Sequence, residues 1–322
     1  MPIGYKEAFG LSDNPFGPRR KVGTLPPNLT AELEKRPLLL HRHGDLEKLY
    51  CNKIPSFRTA CENLDTLLEA DGYVTDPPGG GVASYLVAIE GDRGAGKTTL
   101  ASRMLQLMLK RYPEGEPAQG VEEVLLKSSA ETVTEQIGKL KALEANVGAA
   151  KAAYRCVLID DLLADAYPHA AALYDNLRDA SPVFMVFTSC DPKMAEQIDK
   201  TLHNVQRFNI APLTPDDAIA YVNARYQIFR IPSSNGLNEE PLFPFDEKDI
   251  RKAVAVRVMS GATTTGPVNL RLVASVLQSA LVNRLQEIAR QNPGFDVHAV
   301  PAGNLTGLKI EVAQAYRIVV RK

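Results

Sequence analysis

The chain has 322 residues, of which 45% are hydrophobic and 23% charged, enough apolar material to bury a core in one large domain or two to three smaller ones. Lys plus Arg total 37 against 38 Asp plus Glu, a net charge of −1, so nucleic-acid binding is not indicated by charge, although a local basic face can hide in a neutral total. No apolar run approaches the ~20 residues of a membrane span, and the opening MPIGYKEAFGLSDNPFG lacks a secretory pattern, so a cytoplasmic, reducing location is expected.

Residues 1–50 are read as an arm and linker. Residues 1–40 hold six prolines and the basic cluster Arg19, Arg20 and Lys21, and this composition predicts an extended segment with a solvated basic patch. Phe57, Ala60, Cys61, Leu64, Leu67 and Leu68 recur at helical spacing over Phe57–Ala70. After the glycine-rich loop Pro77 to Gly81, a strand is predicted at Tyr85–Glu90 and a helix from Thr98 to about Arg111. A second strand follows at Val121–Lys127, a helix at Glu131–Ala145, a third strand at Arg155–Ile159 and a helix at Ala170–Asp179. Val183–Thr188 is a fourth strand and Phe208–Ile210 a short fifth. Cys156 and Cys190 lie in the apolar runs, where buried reduced thiols are expected.

Strands alternating with helices predict an α/β fold, a parallel sheet flanked by helices. Beyond Pro212 the pattern turns helical at Thr214–Phe229, Asp246–Met259 and Pro267–Gln291, and Tyr316–Val320 reads as a closing strand. The expected organisation is an arm over 1–50, an α/β core over 51–212, a mostly α-helical lid over 213–295 and a C-terminal strand or tail over 296–322.

One segment carries explicit chemistry. Gly91-Asp92-Arg93-Gly94-Ala95-Gly96-Lys97-Thr98 fits the phosphate-binding loop G-x-x-x-x-G-K-[ST], a pattern that average composition would produce by chance about once in a hundred chains of this length. An apolar strand precedes it and an amphipathic helix follows, the context a P-loop NTPase requires. Glycines allow the backbone to wrap around phosphates with its N–H groups pointing inward, and the helix adds its positive end. Lys97 is the point charge for the β- and γ-phosphates, and Thr98 is a magnesium ligand, with Thr99 completing the candidate ATP-binding segment. The third strand ends in Asp160-Asp161, 63 positions after Lys97. Asp160 is the second magnesium contact, and Asp161 the group that orients or deprotonates the attacking water. At the end of the fourth strand, Thr188, with Ser189 behind it, can contact the γ-phosphate or that water.

The order of these motifs resembles the AAA+ and STAND ATPases. The phrases GDRGAGKTT, LIDD and VFMVFTS stand in the family's order, over roughly residues 50–290. The phrase from Phe208 to Val222 looks like the start of an AAA+ lid, with Thr214 as N-cap, Pro215 at the first helical position, and Asp216 and Asp217 in the acidic first turn. Gly266–Arg271 is similar to the sensor-2 segment, which implies that Arg271 reaches the nucleotide phosphates. Phe9–Phe16 is similar to the entry segment of the secretion- and transposition-associated members. Arg42–Leu49 is similar to the segment preceding many AAA+ cores, placing the adenine near Leu38–Leu49 or Ile54–Arg58.

Two departures qualify what the resemblance implies. Asp161 replaces the glutamate most AAA+ proteins carry, as in STAND proteins, so hydrolysis is expected to be slow. Asn204 stands near the usual place of the intersubunit arginine finger; Arg207 is the nearest candidate and Arg178 precedes the fourth strand. His41, His43, Cys51 and Cys61 match no zinc-binding spacing. The expectation is an ATP- and magnesium-dependent switch that assembles with itself or with a protein partner. The rivals are a weakly hydrolysing ATP-bound scaffold and a DNA-associated ATPase that regulates a transposase or helicase.

Overall fold

The runs with least polar alternation become the sheet. In the computed structural model, β1 (Tyr85–Glu90) is buried but for its last residue and β4 (Val183–Ser189) is buried throughout. These two lie beside β3 (Tyr154–Asp160), with β2 (Val121–Lys127) and β5 (Val205–Asn209) at the edges, in the order β2-β3-β4-β1-β5. All pairings are parallel, so all strand C-termini emerge along one edge, where ligands bind in open α/β sheets. Because β4 lies between β3 and β1, the ends carrying Asp160, Ser189 and Glu90 are neighbours.

The structure describes residues 3–16, 53–74, 84–110, 121–127, 132–147, 154–180, 182–210, 214–232, 237, 240, 242–255, 270–301, 304–305, 309–310 and 312. The basic cluster Arg19–Lys21, the adenine-pocket stretch Leu38–Leu49, His41, His43, Cys51, the segment before Leu270 and the expected strand Tyr316–Val320 lie outside them. Two compact units are formed, one from Lys21–Cys51 and Ser56–Ala211 and the other from Met1–Arg20, Asn52–Pro55 and Pro212–Lys322.

In the first unit the crossovers are helices α3 (Lys97–Lys110), α4 (Val133–Val147), α5 (Tyr167–Ala180) and α6 (Met194–Thr201), while α2 (Pro55–Val74) precedes the sheet; α1 (Tyr5–Phe9) belongs to the other unit. On one face of the sheet Val157, Ile159, Met185 and Phe187 pack with Tyr167, Ala170, Leu173 and Leu177 of α5 into one continuous apolar cluster. The period-2 alternation of strands sends Cys156, Leu158, Phe184 and Val186 to the other face, and all four are buried. β5 starts three residues before the expected Phe208–Ile210 and ends one residue before it, because its side chains are only partly buried, as suits an edge, and leave little apolar signal.

The second unit corrects one expectation. Residues 3–16, read as part of an extended arm, form the short helix α1 (Tyr5–Phe9) and then a turn at Gly10, whose φ of +64° closes the helix in the left-handed region. Phe9, Leu11 and Phe16 are buried; prolines and glycines dominated the composition, but these three side chains anchor the stretch. Leu11 bridges Arg230 in antiparallel sense, Ser12 N–H donates to the Phe229 carbonyl at 2.8 Å, and Ile231 N–H donates to that of Gly10 at 2.9 Å. These partners end α7 (Pro215–Phe229), which opens as the sequence predicts: Thr214 Oγ1 accepts from Asp217 N–H, and Asp217 accepts in return from Thr214 N–H. Helices α8 (Glu247–Ala255) and α9 (Leu270–Gln291) complete the described part of this unit. Among the described residues no helix is long and apolar enough to cross a membrane.

Arg230 ties the segment down. Its guanidinium lies 5.3 Å from the Tyr226 ring centre and donates to the carbonyls of Phe9 and Phe243, both at 2.9 Å. Burial lowers the Arg230 pKa and raises that of the Tyr226 phenol. Replacing Arg230 with Ala removes the donors from those carbonyls and should cost about 2–4 kcal/mol, in the range for breaking buried charged hydrogen bonds. Urea unfolding of the variant against wild type measures it.

Candidate nucleotide site

The loop between β1 and α3 is shaped by positions no side chain could share. Gly94 and Gly96 have φ of +83° and +99°. A Cβ on Gly96 would stand 2.4 Å from Cζ of Phe57, on α2, closer than any real contact permits. The Phe57 ring, itself buried, therefore seats the loop. A Cβ on Gly91, where φ is +153°, would meet Ile210 at 3.3 Å. Ala95 N–H closes a turn onto the Asp92 carbonyl at 3.2 Å, and Leu100 N–H begins the helical ladder on the Gly96 carbonyl at 3.0 Å.

Lys97 is buried at the start of α3, and its Nζ donates to the carbonyls of Gly91 and Asp92, both at 2.9 Å. Its ammonium is thus folded back inside the curve of the loop. Burial pushes its pKa below the ordinary lysine value, and Cys190, Asp161, Asp160 and Asp92 pull it the other way. Those acidic groups are close enough to act on the charge where phosphates would bring more. Cys190, expected buried, is exposed: β4 ends one residue earlier, so the thiol is the first side chain beyond the strand.

The end of β3 meets this loop through two threonines. Asp160 Oδ1 accepts from Thr98 Oγ1 at 2.9 Å and from Thr188 Oγ1 at 2.7 Å. Asp161 follows at φ +59°, a left-handed conformation that costs a non-glycine residue about 1–2 kcal/mol and that aspartate tolerates better than most. The main chain of that turn is held by a set of hydrogen bonds. Asp161 N–H donates to Thr188 Oγ1 at 2.9 Å and Leu162 N–H to the Thr188 carbonyl at 2.8 Å. The Leu162 carbonyl accepts from Ser189 Oγ at 2.7 Å, and Ala164 N–H donates to Asp191 Oδ2 at 3.0 Å. Gln136 of α4 spans the rest, donating to the Asp161 carbonyl at 3.1 Å and accepting from Leu163 N–H at 3.0 Å.

Sequence reasoning did not reach Gln136 or Asp191. Asp191 carried a signal, since a polar cluster at a strand end offers turn-capping oxygens. Gln136 carried none beyond being an amide in the first turn of a helix.

The remaining candidates sit elsewhere. Arg207 on β5 pairs with Glu90 at 3.2 Å and Asp199 at 3.6 Å within its own chain, and Arg178 pairs with Asp175 at 3.1 Å. Thr99 is half-buried in the first turn of α3. Arg271 is exposed in the first turn of α9, in the other unit. The donor set brought together by the Thr98–Asp160 contact, a hydroxyl and a carboxylate, is made of hard oxygens. It suits a magnesium ion that keeps most of its ligands from water and phosphate.

No family model matches the chain, and no curated protein matches it by sequence. Solved structures do resemble it. The ORC1 protein of Aeropyrum pernix, in complex with DNA, superposes with a TM-score of 0.51 at 13% identity, over 80% of this chain and 64% of that one. The A. pernix ORC2 protein gives 0.46 at 14% identity, and a variant of Thermotoga maritima RuvB 0.44 at 12%, each over 80% of this chain and 67% of the other. The likeness to ORC1 is one of fold, and this chain spans under two thirds of that protein's length.

Gly96→Ala should destabilise the chain by about 1–3 kcal/mol, the range for strained backbone positions. Gly138→Ala is the control: it sits in α4 with nothing within 4 Å of an added Cβ and should stabilise by about 1 kcal/mol. Denaturant unfolding of both variants tests the pair.

Proposed function

This chain has the fold of the AAA+ P-loop ATPases, and on that premise we propose that it binds ATP with magnesium, hydrolyses it slowly and uses the exchange as a conformational switch. The observation that carries the reading is the contact of Thr98 with Asp160. It joins the start of the phosphate-loop helix to the acid at the end of a neighbouring strand, the two protein contacts a magnesium nucleotide needs.

Gly91 to Thr99 would cradle the phosphates through main-chain N–H groups and the positive end of α3. Lys97 would turn from the Gly91 and Asp92 carbonyls to the β- and γ-phosphates, exchanging dipoles for full opposite charge. Thr98 and Asp160 would hold magnesium, which, when bound, neutralises phosphate charge as the γ-phosphoryl group leaves. Asp161 would orient the attacking water and take its proton as the new P–O bond forms and the β–γ bridging bond breaks, leaving ADP and phosphate. Thr188 ties both acids to β4 and would register their rearrangement. Arg271 would add a second cation for the γ-phosphate, a role that rests on the sensor-2 resemblance. Arg207 is the candidate finger for a neighbouring copy, and to serve it would have to leave Glu90 and Asp199.

Such a switch works only if a partner distinguishes the ATP form from the ADP form. The partner is proposed to be further copies of this chain, another protein, or both. The shorter acid at Asp161 favours a second reading, in which the bound nucleotide chiefly stabilises a scaffold. Sizing with ATP and with ADP separates the two: assembly that follows the nucleotide supports the switch, and identical assembly with negligible turnover supports the scaffold. The secretion- and transposition-associated likeness rests on the phrase Phe9–Phe16 alone.

Direct measurement of ATP affinity and turnover decides the central claim. Lys97→Ala should weaken ATP binding by at least about tenfold, in line with loss of a charge-assisted contact. Asp161→Ala should bind ATP as wild type does and lose roughly 100-fold or more in kcat, the usual contribution of a general base. Equal turnover in all three proteins would remove the mechanism.

A further inference from the structure

Helix α4 hydrogen-bonds the Asp160–Asp161 turn through the buried side chain of Gln136. A capping pair fixes the start of the helix: Thr132 N–H donates to Glu135 Oε2 at 2.8 Å and Glu135 N–H to Thr132 Oγ1 at 3.3 Å. Gln136 comes next, with its own N–H on the Thr132 carbonyl at 3.0 Å, so its backbone is held where the helix begins. Its side-chain amide then uses both ends. Nε2 donates to the Asp161 carbonyl at 3.1 Å, and Oε1 accepts from Leu163 N–H at 3.0 Å. Two bonds from one planar group to main-chain atoms two residues apart fix the direction of the chain as well as its position.

Thr188 does the corresponding work on the other side, accepting from Asp161 N–H at 2.9 Å. Both main-chain polar groups of Asp161 are therefore held, and the residue lies at φ +59°. A non-glycine residue keeps that conformation only where its surroundings over-determine it. If the Gln136 bond is lost, the Asp161–Leu162 peptide loses one anchor and keeps the bond from Leu162 N–H to the Thr188 carbonyl, so the φ of Asp161 is less firmly fixed and the carboxylate is less well aimed.

We propose that Gln136 is a positioning residue for hydrolysis, acting through the backbone of Asp161 to aim its carboxylate. The inference rests on the reading of Asp161 as the group that activates water. It makes α4, a helix outside every motif of the site, the element that sets the geometry of the chemical step.

The test compares wild type, Gln136→Met, Asp161→Ala and the double variant, each with ATP and magnesium. The readouts are kcat, KM, the Kd of a fluorescent ATP analogue and the melting temperature. Met keeps the length and bulk of the side chain and removes both hydrogen bonds. The expected result is a fall in kcat of roughly 10- to 100-fold, the scale of a misplaced catalytic group, with KM and Kd within about threefold of wild type. The double variant should turn over no more slowly than Asp161→Ala, because residues acting as one unit are not additive. Gln136→Glu, which keeps the acceptor for Leu163 and loses the donor to Asp161, should show the same loss in kcat and stands in if the Met variant fails to fold.

Turnover within about twofold of wild type in a folded Gln136 variant overturns the proposal. So does a loss of Kd in step with kcat, or additive losses in the double variant. If Asp161→Ala turns over like wild type, the reading of Asp161 has failed and this proposal falls with it. If Asp161→Ala is impaired and the Gln136 variants are not, the proposal alone has failed.

Discussion

One carboxylate oxygen organises the C-terminal edge of the sheet. Oδ1 of Asp160 accepts from Thr98 on α3, 62 positions earlier in sequence, and from Thr188 on β4, 28 positions later, so three elements meet at a single atom. The geometry follows from strand order. With β4 between β3 and β1, a hydroxyl at the end of β4 is the natural link between an acid on one side and the loop on the other. Both hydroxyls point their hydrogens at that oxygen, so it joins the helix of the phosphate-binding-type loop to β4 through one atom. The apolar strands beneath matter to the site because they leave these ends no freedom to drift apart: β4 is buried at every position.

Much of this arrangement is legible in the amino-acid sequence. Buried parallel strands declare themselves as continuous apolar runs, and the run Cys156–Ile159 points to Asp160 with no alternation to confuse the register. The loop was legible because glycine is informative: Gly94 and Gly96 occupy backbone conformations that other residues resist. The cap at Thr214 was legible because Ser, Thr and Asp at helix starts have a local mechanism. Thr188 could be singled out as a polar residue ending an apolar strand, although what it touches could not.

The parts that stayed hidden share a physical cause, since they depend on which elements become neighbours. Nothing local marks Gln136 as the partner of Asp161, 25 residues away. Phe57 reads as one apolar residue on a helical stripe, and only the folded chain shows that its ring fills the space a Cβ on Gly96 would need. Arg207 could be named as a finger candidate, but its pairing with Glu90 and Asp199 comes from the adjacency of β5 to β1 and the position of α6. The opening residues misled for a compositional reason: prolines and glycines signal loops, while three apolar side chains and the antiparallel bridge to Arg230 decide how the loop is held.

That N-terminal docking has a temporal side. Ser12 finds Phe229 across 217 positions of sequence, whereas Ser56–Ala211 lies wholly before Pro212 in the chain. During synthesis at about 5–20 residues per second the first segment waits roughly 10–40 seconds for its partners to be made. The α/β unit can have emerged in the meantime. The burial of Phe9 and Phe16 is therefore a late event, since the ring that Phe16 packs against, Tyr226, is made about 210 residues after it.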